Sequence, residues 1–394
     1  MTAAVTSVAP PTRPLKVTHV VRQFWPSIGG LEDVVLNLSA VQRETHGIDA
    51  SVVTLDTAYQ LPDQRLPHTD TVRGVPIRRM AWFGPKSYPI APSVLGMLRG
   101  SDVVHVHWTD FFFDYLALTK WLHGCRLIVS THGGFFHTQF ARVPKLVFFN
   151  TVTRLSLRSY DCVVACSEAD AQLFRKITRR NLVTIENGAD VGKFRDAAAR
   201  TPQRVLVCFG RFASNKRIET LFPLLRELRQ LNPAWRLIVA GAETDVSADF
   251  LEAEAQNAGV APAVTVSARP SDAELRGLIG QATYFICASS YEGFGIAAVE
   301  ALSAGLVPIL TNIPPFARLL RKAGLGVFYD PDDPVAEARR IEELASTYDG
   351  HLRGAAMHAA ASYGWEAVTA SYVDVYRHLA ARSRAWPRRC PALP

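Results

Sequence analysis

Two doubly wound, Rossmann-like α/β domains are the fold that this 394-residue sequence predicts, from three observations. Short runs rich in Val and Ile alternate with segments of helical period, which is the pattern of parallel strands joined by helices. The alternation comes as two series, and 394 residues exceed what one compact core usually serves. Between the series, "ENGADVGKFRDAAARTPQ" at 186–203 lacks apolar periodicity and carries two Gly and a Pro.

The first series runs through "KVTHVV" at 16–21, "DASVVTL" at 49–55, "DVVHVH" at 102–107, "RLIVST" at 126–131, "DCVVAC" at 161–166 and "LVTI" at 182–185. The second comprises "RVLVCFG" at 204–210, "WRLIVAG" at 235–241, "AVTVSA" at 263–268, "ATYFICA" at 282–288 and "LVPILT" at 306–311. Open α/β sheets bind ligands at the carboxyl ends of their strands, so two such sheets are expected to face each other across a cleft. Chemistry is to be sought at strand-to-helix turns.

Composition narrows the class. A hydrophobic content of 48% with 20% charged residues suits a soluble enzyme. Apolar runs such as "LVFF" and "LIVAGA" fall far short of the roughly 18 residues needed to span a bilayer. The N-terminal "MTAAVTSVAPPTRP" has no basic start followed by an apolar core, so neither a spanning nor an exported protein is expected. Cysteines at 125, 162, 166, 208, 287 and 390 form no CxxC pair and no zinc spacing with histidine, and read as reduced core thiols of a cytoplasmic protein.

The net charge of +7 lies wholly in residues 1–200. Within them, Arg142, Lys145, Arg154, Arg158, Arg175, Lys176, Arg179 and Arg180 stand against three acids, interleaved with "KLVFF" and "TRLSL". Such a surface suits nucleic acid, anionic lipid or a phosphorylated substrate; a solvated helix face with scattered arginines fits equally. No interleaving of aromatic and basic residues or known module supports nucleic acid.

Four turns carry candidate chemistry. Gly29-Gly30 precedes a helix with apolar Leu31, Val34, Val35 and Leu38, where backbone N–H groups can meet an anion. A tight turn with no ligand fits this stretch as well, since it is not GxGxxG, and no Walker P-loop occurs. "THGG" places His132 just past a strand, able to bond a sugar hydroxyl or to serve structure alone. In "CFGRFASNK", Arg211 and Lys216 beside a helix start suit a diphosphate, unless both are solvated loop cations. In "SSYEGFGIAAVE", Gly293 and Gly295 expose N–H groups at a helix start near Phe294. Glu300 falls about one and a half turns in, within reach of a ribose, and Glu292 lies on the other side of the phosphate.

Together "EGFGIAAVE", "GRFASNK", "ENGAD", "GGLE" and "THGG" resemble family 4 retaining glycosyltransferases of the GT-B fold, over nearly the whole chain. "SSYEGFGIAAVEALSAGLVPILTNIPPF" is most similar to the α-mannosyltransferases that extend lipid-linked cellobiose in xanthan- and acetan-type exopolysaccharide assembly. The resemblance implies residues 1–195 as the acceptor-side domain and 196–364 as the donor domain. It also implies that the helix in 365–394 crosses back to the first domain, and that closure about a hinge excludes water. It assigns Arg211 and Lys216 to the donor diphosphate, Glu300 to the ribose, and Glu292 with the N–H groups of Gly293, Phe294 and Gly295 to the transferring sugar and phosphate. His132 would touch the sugar and Gly30 would border the diphosphate. "IPPFARLL" at 313–320 stands where many members carry Gly-Gly-x-x-Glu, so no acid is carried over there. "SARP" leaves Arg269 as a base-side contact.

The expected partners are GDP-mannose, a polyprenyl-diphosphate-linked oligosaccharide and an anionic membrane surface at the inner face of the cytoplasmic membrane, with no nucleic acid. No carboxylate can be assigned to a double displacement, so departure and attack on one face are expected, with charge growing on the diphosphate. No cofactor or metal is then needed, and the Asp330-x-Asp332 pattern in "YDPDDP" reads as a turn. The alternatives are another donor such as a UDP-sugar, a soluble acceptor, or a non-catalytic nucleotide-sugar binder.

Overall fold

The computed structural model describes residues 13–27, 29–58, 64–86, 88–132, 146–178, 181–348 and 350–381. Two compact units result, one from residues 1–188 with 365–394 and the other from 189–364.

In the first unit, eight strands are ordered β3-β4-β2-β1-β5-β6-β7-β8. They are β1 (Lys16–Val20), β2 (Asp49–Leu55), β3 (Thr69–Val72), β4 (Val75–Met80), β5 (Val103–His107), β6 (Arg126–Ser130), β7 (Cys162–Ala165) and β8 (Leu182–Thr184). Every pair is parallel except β3 with β4. Parallel strands covered on both faces need apolar residues in both phases, which is why β5 is buried throughout. Val104 and Val106 join a core with Phe112, Phe113, Phe149 and Phe174. On the opposite face, Val17, Val103 and Ile128 pack with Val368, Tyr372, Val373 and Tyr376 of the helix Trp365–Ala381. That helix also lies on the helix Gly30–Glu44.

The β3–β4 hairpin escapes the Val/Ile pattern. Its turn is Arg73-Gly74, both at positive φ (48° and 72°), where Asn-Gly or Asp-Gly is the usual signal. Arg79 then breaks the apolar run yet is buried, paired to Asp70 at 2.9 Å and donating to the Trp25 and Pro67 carbonyls.

The second unit holds six parallel strands in the order β11-β10-β9-β12-β13-β14: β9 (Val205–Phe209), β10 (Arg236–Gly241), β11 (Val264–Ala268), β12 (Tyr284–Cys287), β13 (Val307–Thr311) and β14 (Val327–Tyr329). Strand β14, only three residues long, is the one the sequence pattern did not raise. One core lies on each face, around Phe285, Val299 and Phe316 and around Leu225, Trp235 and Ile286. The order reverses between β9 and β12, so the loops after these two strands flank the switch point where such sheets bind ligands.

The described cysteines, at 125, 162, 166, 208 and 287, are all buried. Arg154, Arg158, Arg175 and Lys176 are exposed, while Arg142, Lys145, Arg179, Arg180 and Cys390 lie outside the described residues. Among the described residues no helix is long and apolar enough to cross a membrane.

Candidate active site

The loops after β9 and β12 are tied together. Asn215 donates to the Tyr291 carbonyl at 2.9 Å, and the Ser290 N–H donates to the Asn215 carbonyl at 2.8 Å. Asp245, held down to about 2 by the Ser214 hydroxyl and N–H, anchors the first loop from its other side. Within this frame Lys216 Nζ is ion-paired to Glu292, whose Oε1 also accepts from the Ser289 hydroxyl at 2.8 Å. The Lys216 and Glu292 side chains keep only 15% and 14% exposure. An ammonium has three donors, so Lys216 can hold Glu292 and still bond a phosphate oxygen.

Gly295, at φ +88°, is the N-cap of the helix Ile296–Ala304, which begins two residues beyond Phe294. No side chain caps this end and its first turn carries no acid, so its free N–H groups suit an anion. A side chain at Gly295 would collide with the Phe316 ring, 2.8 Å from the added Cβ. Phe294 stacks edge-on against Tyr363, and Gly293 is exposed.

Glu300, the fifth residue of this helix, is pushed up to about 7 by burial, partly relieved by Lys193 and reinforced by Asp190 and Asp272. Its charged neighbours come from the end of the "ENGAD" stretch and just beyond, and from the helix Asp272–Ile279: Asp190 Oδ1 accepts from the Gly192 and Lys193 N–H groups, and Lys193 pairs with Asp272 at 2.8 Å. Among the described residues no hydrogen bond to the Glu300 carboxyl occurs, so its oxygens are available to vicinal hydroxyls.

Arg211 is exposed and makes no ion pair among the described residues. Its position depends on a close approach of backbones, since a Cβ on Gly241 would stand 1.6 Å from the Gly210 carbonyl oxygen. Arg269, at φ 53°, follows β11; its N–H donates to the Gly241 carbonyl at 2.7 Å, and its guanidinium lies 4.0 Å from Glu243. Asp330 and Asp332 shape their turn: Asp330 accepts from the Asp332 N–H at 3.0 Å, and Asp332 pairs with Arg217 at 2.9 Å.

In the first unit Gly30 opens its helix after an extended Gly29. Glu32 folds back toward Gly29, 2.5 Å from where a Cβ would be, and burial raises its carboxyl. An anion at this end would meet that carboxyl as well as the N–H groups. His132, at φ 46°, has both ring nitrogens engaged, Nε2 with His107 Nδ1 at 3.0 Å and Nδ1 with Cys166 Sγ at 3.5 Å. Burial lowers it to about 3. His19, His105 and His107 are clustered closely enough to hold a metal ion, but all six of their ring nitrogens have hydrogen-bond partners within the protein.

Lys216 with Glu292, and Glu300 with the "ENGAD" loop, are thus brought together. Ser289 and Asn215 were not singled out from the sequence, because a Ser-Ser step and a loop Asn carry no periodic or chemical signal. His105 and His107 had one, since alternate histidines on a strand share a face.

Residues 28–193 match Glycosyltransferase Family 4, and residues 192–355 match Glycosyl transferases group 1. A GDP-mannose:cellobiosyl-diphosphopolyprenol alpha-mannosyltransferase of Komagataeibacter xylinus is 50% identical over 373 residues, 94% of this chain and 94% of that protein. The protein of the same name from Xanthomonas campestris is 46% identical over 368 residues, 92% of this chain and 96% of its own. The crystal structure of a glycosyltransferase from Rickettsia africae ESF-5 aligns with a TM-score of 0.71 at 17% identity, covering 94% of this chain and 100% of that one, a likeness of fold. With its two halves matched in succession and relatives at this identity along nearly its full length, the chain belongs to the family 4 glycosyltransferases of GT-B fold.

Proposed function

We propose that this protein transfers mannose from GDP-mannose to a cellobiosyl-diphosphopolyprenol acceptor, with retention of configuration, in exopolysaccharide assembly. The observation that carries this reading is the 50% identity, over 94% of both chains, to an enzyme named for that donor and acceptor. The acceptor hydroxyl attacks the anomeric carbon on the face from which the diphosphate leaves, and its proton passes to the departing phosphate oxygen. Arg211, Lys216 and the N–H groups at Gly295 stabilise the charge that grows there. Glu292 keeps Lys216 aimed, while Glu300 accepts from the ribose hydroxyls at the far end. Arg269 serves the base, and His132 meets the transferred sugar. The reaction needs no metal ion.

The acceptor's lipid draws the protein to an anionic membrane surface. Arg154 and Arg158 are exposed on a helical run beside Leu155, which is 62% exposed, and the neighbouring segment presents Leu118 and Trp121 at 76% and 81%. The Asp114–Ser156 and Lys120–Ser159 hydrogen bonds clamp the two segments together. Cations beside an exposed tryptophan and leucines complement an anionic headgroup layer.

Purified protein given GDP-mannose or UDP-sugars with cellobiosyl-diphosphopolyprenol tests the reading. Transfer of mannose in α linkage, undiminished by excess EDTA and accompanied by sedimentation with anionic rather than neutral vesicles, is expected. Turnover with UDP-sugars alone would overturn the donor assignment, and loss with EDTA restored by magnesium the metal-free one. Equal binding to both vesicle types would overturn the docking face.

A further inference from the structure

A chain of side-chain hydrogen bonds runs beneath the strand ends of the first unit. His19 Nε2 meets Gln42 Oε1 at 2.9 Å, His19 Nδ1 meets His107 Nε2 at 2.9 Å, and His107 Nδ1 meets His132 Nε2 at 3.0 Å. The last link is His132 Nδ1 to Cys166 Sγ at 3.5 Å. Gln42, His19 and His107 are fully buried or nearly so.

A neutral imidazole has one N–H and one lone pair, so the direction of one bond fixes all the others. Gln42 supplies that direction. Its amide nitrogen donates to the Tyr376 hydroxyl at 3.3 Å, leaving the carbonyl oxygen to accept from His19 Nε2–H. His19 Nδ1 then accepts from His107 Nε2–H, and His107 Nδ1 accepts from His132 Nε2–H. What remains at the end is the Nδ1 lone pair of His132, met among the described residues by the Cys166 thiol. Burial keeps each member in the required form: it lowers His19 to about 4, His107 well below its usual value and His132 to about 3, and it raises the Cys166 thiol to about 12.

We propose that Gln42, His19 and His107 are positioning residues that hold His132 in its Nε2–H tautomer and so present Nδ1 as an acceptor for a hydroxyl of the transferred sugar. This rests on the reading of His132 as the residue that meets that sugar. Three features argue for it. His107 ends β5 and His132 follows β6, the strand ends where this class of sheet binds ligands. His132 sits at φ 46°, a backbone state unfavourable for a residue with a Cβ, and the tether at Nε2 holds the ring there. A thiol is a weak donor, readily exchanged for a hydroxyl, whereas the bond to His107 is short and buried. Without the chain the ring would divide between tautomers, and only the fraction with an open Nδ1 would serve.

Nitrogen-15 spectra of histidine-labelled wild type, with the His132 signals assigned by their loss in His132→Asn, report the tautomer directly. Nε2 protonation is expected; a proton on Nδ1 would overturn the proposal without any variant. His107→Phe removes the acceptor for His132, whereas His107→Asn keeps one, its amide oxygen replacing Nδ1. At least a tenfold fall in kcat is expected for His107→Phe, with GDP affinity within twofold of wild type, and recovery to within threefold of wild-type kcat in His107→Asn. Wild-type kcat in His107→Phe, or equal loss in a natively folded His107→Asn, would overturn it. Failure of the mannosyl reading would show separately, as no turnover of GDP-mannose by wild type.

Discussion

Lys216 and Glu292 hold each other, and under the proposed reaction this pair aims the ammonium at the diphosphate. Removing the ammonium leaves Glu292 facing the phosphate, which adds repulsion to the lost attraction. Lys216→Ala and Arg211→Ala are each expected to lower kcat at least tenfold at saturating donor, about 1.4 kcal/mol or more of transition-state stabilisation. Steady-state kinetics with folding checked by circular dichroism decide it, and a wild-type rate removes that residue from the site. Glu300 calls for a different readout. Its carboxyl, raised to about 7 by burial, must be charged to accept from two hydroxyls. As pH falls below 7 it first has to lose a proton, so donor affinity should weaken by up to about tenfold per pH unit. Glu300→Gln should bind more weakly at pH 8 and show no such slope between pH 5 and 7; calorimetric titration with GDP-mannose measures both. That Lys216, Glu292 and Glu300 stand at strand-to-helix turns could be framed from spacing and residue chemistry; that Glu292 pairs with Lys216 could not. The partner that orients Glu292, Ser289, could not, because nothing local marks a buried serine at a strand end as a clamp.

Two glycines set the geometry of the turns after β9 and β12. Gly241 must lack a side chain because the backbone of Gly210 passes over it, and Gly295 because its φ is positive and Phe316 fills the space. Gly241→Ala is expected to destabilise the second unit by about 1–3 kcal/mol, the range for overpacking, and to weaken donor binding by displacing Arg211. Gly295→Ala should cost about 1–2 kcal/mol for the left-handed backbone, with the Phe316 contact adding to it. Thermal unfolding with and without GDP separates stability from binding, and unchanged midpoints in both variants would refute the packing argument. Legibility differs by element in the same way. Strands β5, β9 and β10 stand out as Val/Ile runs because both faces are covered. The β3–β4 hairpin does not, since a buried Arg79 occupies a core position and its charge is neutralised only by a partner, Asp70, brought close by the fold.

The first unit clusters four histidines whose protonation burial opposes, His19, His105, His107 and His132, and the partly buried His123 outside the cluster is lowered as well. Their folded values lie below the unfolded value near 6.5, so the stability they permit is present above that pH and is lost as pH falls through it. The unfolded chain takes up about four protons that the folded one refuses. Asp110, raised to about 7 by burial, works oppositely and offsets about one of them, with smaller help from Glu32 and Asp114. Net uptake of about two to three protons implies a loss of ~3–4 kcal/mol per pH unit between about 6 and 5. Urea unfolding followed in this unit from pH 7.5 to 5 should show that slope, and a flat profile would refute a neutral buried network. The whole cluster was out of reach of the sequence, because its members come from two strands far apart in the chain, β1 and β5, and from the turn after β6.

The helix Trp365–Ala381 belongs to the first unit although it follows the second in sequence. Through Tyr376 it bonds His105 at 2.7 Å and Gln42 at 3.3 Å, and through Tyr372 it bonds Ser130 at 3.2 Å. On the ribosome, residues 1–188 therefore emerge with a polar pocket and an apolar sheet face uncovered, and wait while residues 189–364 are synthesised, roughly 10–35 s at ~5–20 residues per second. The second unit, contiguous in sequence, can fold before the first; the first can complete its core only once the helix Trp365–Ala381 has emerged. Chains truncated before Trp365 should accordingly resist proteolysis in residues 189–364 while residues 1–188 are cut, and equal protection of both would refute this order.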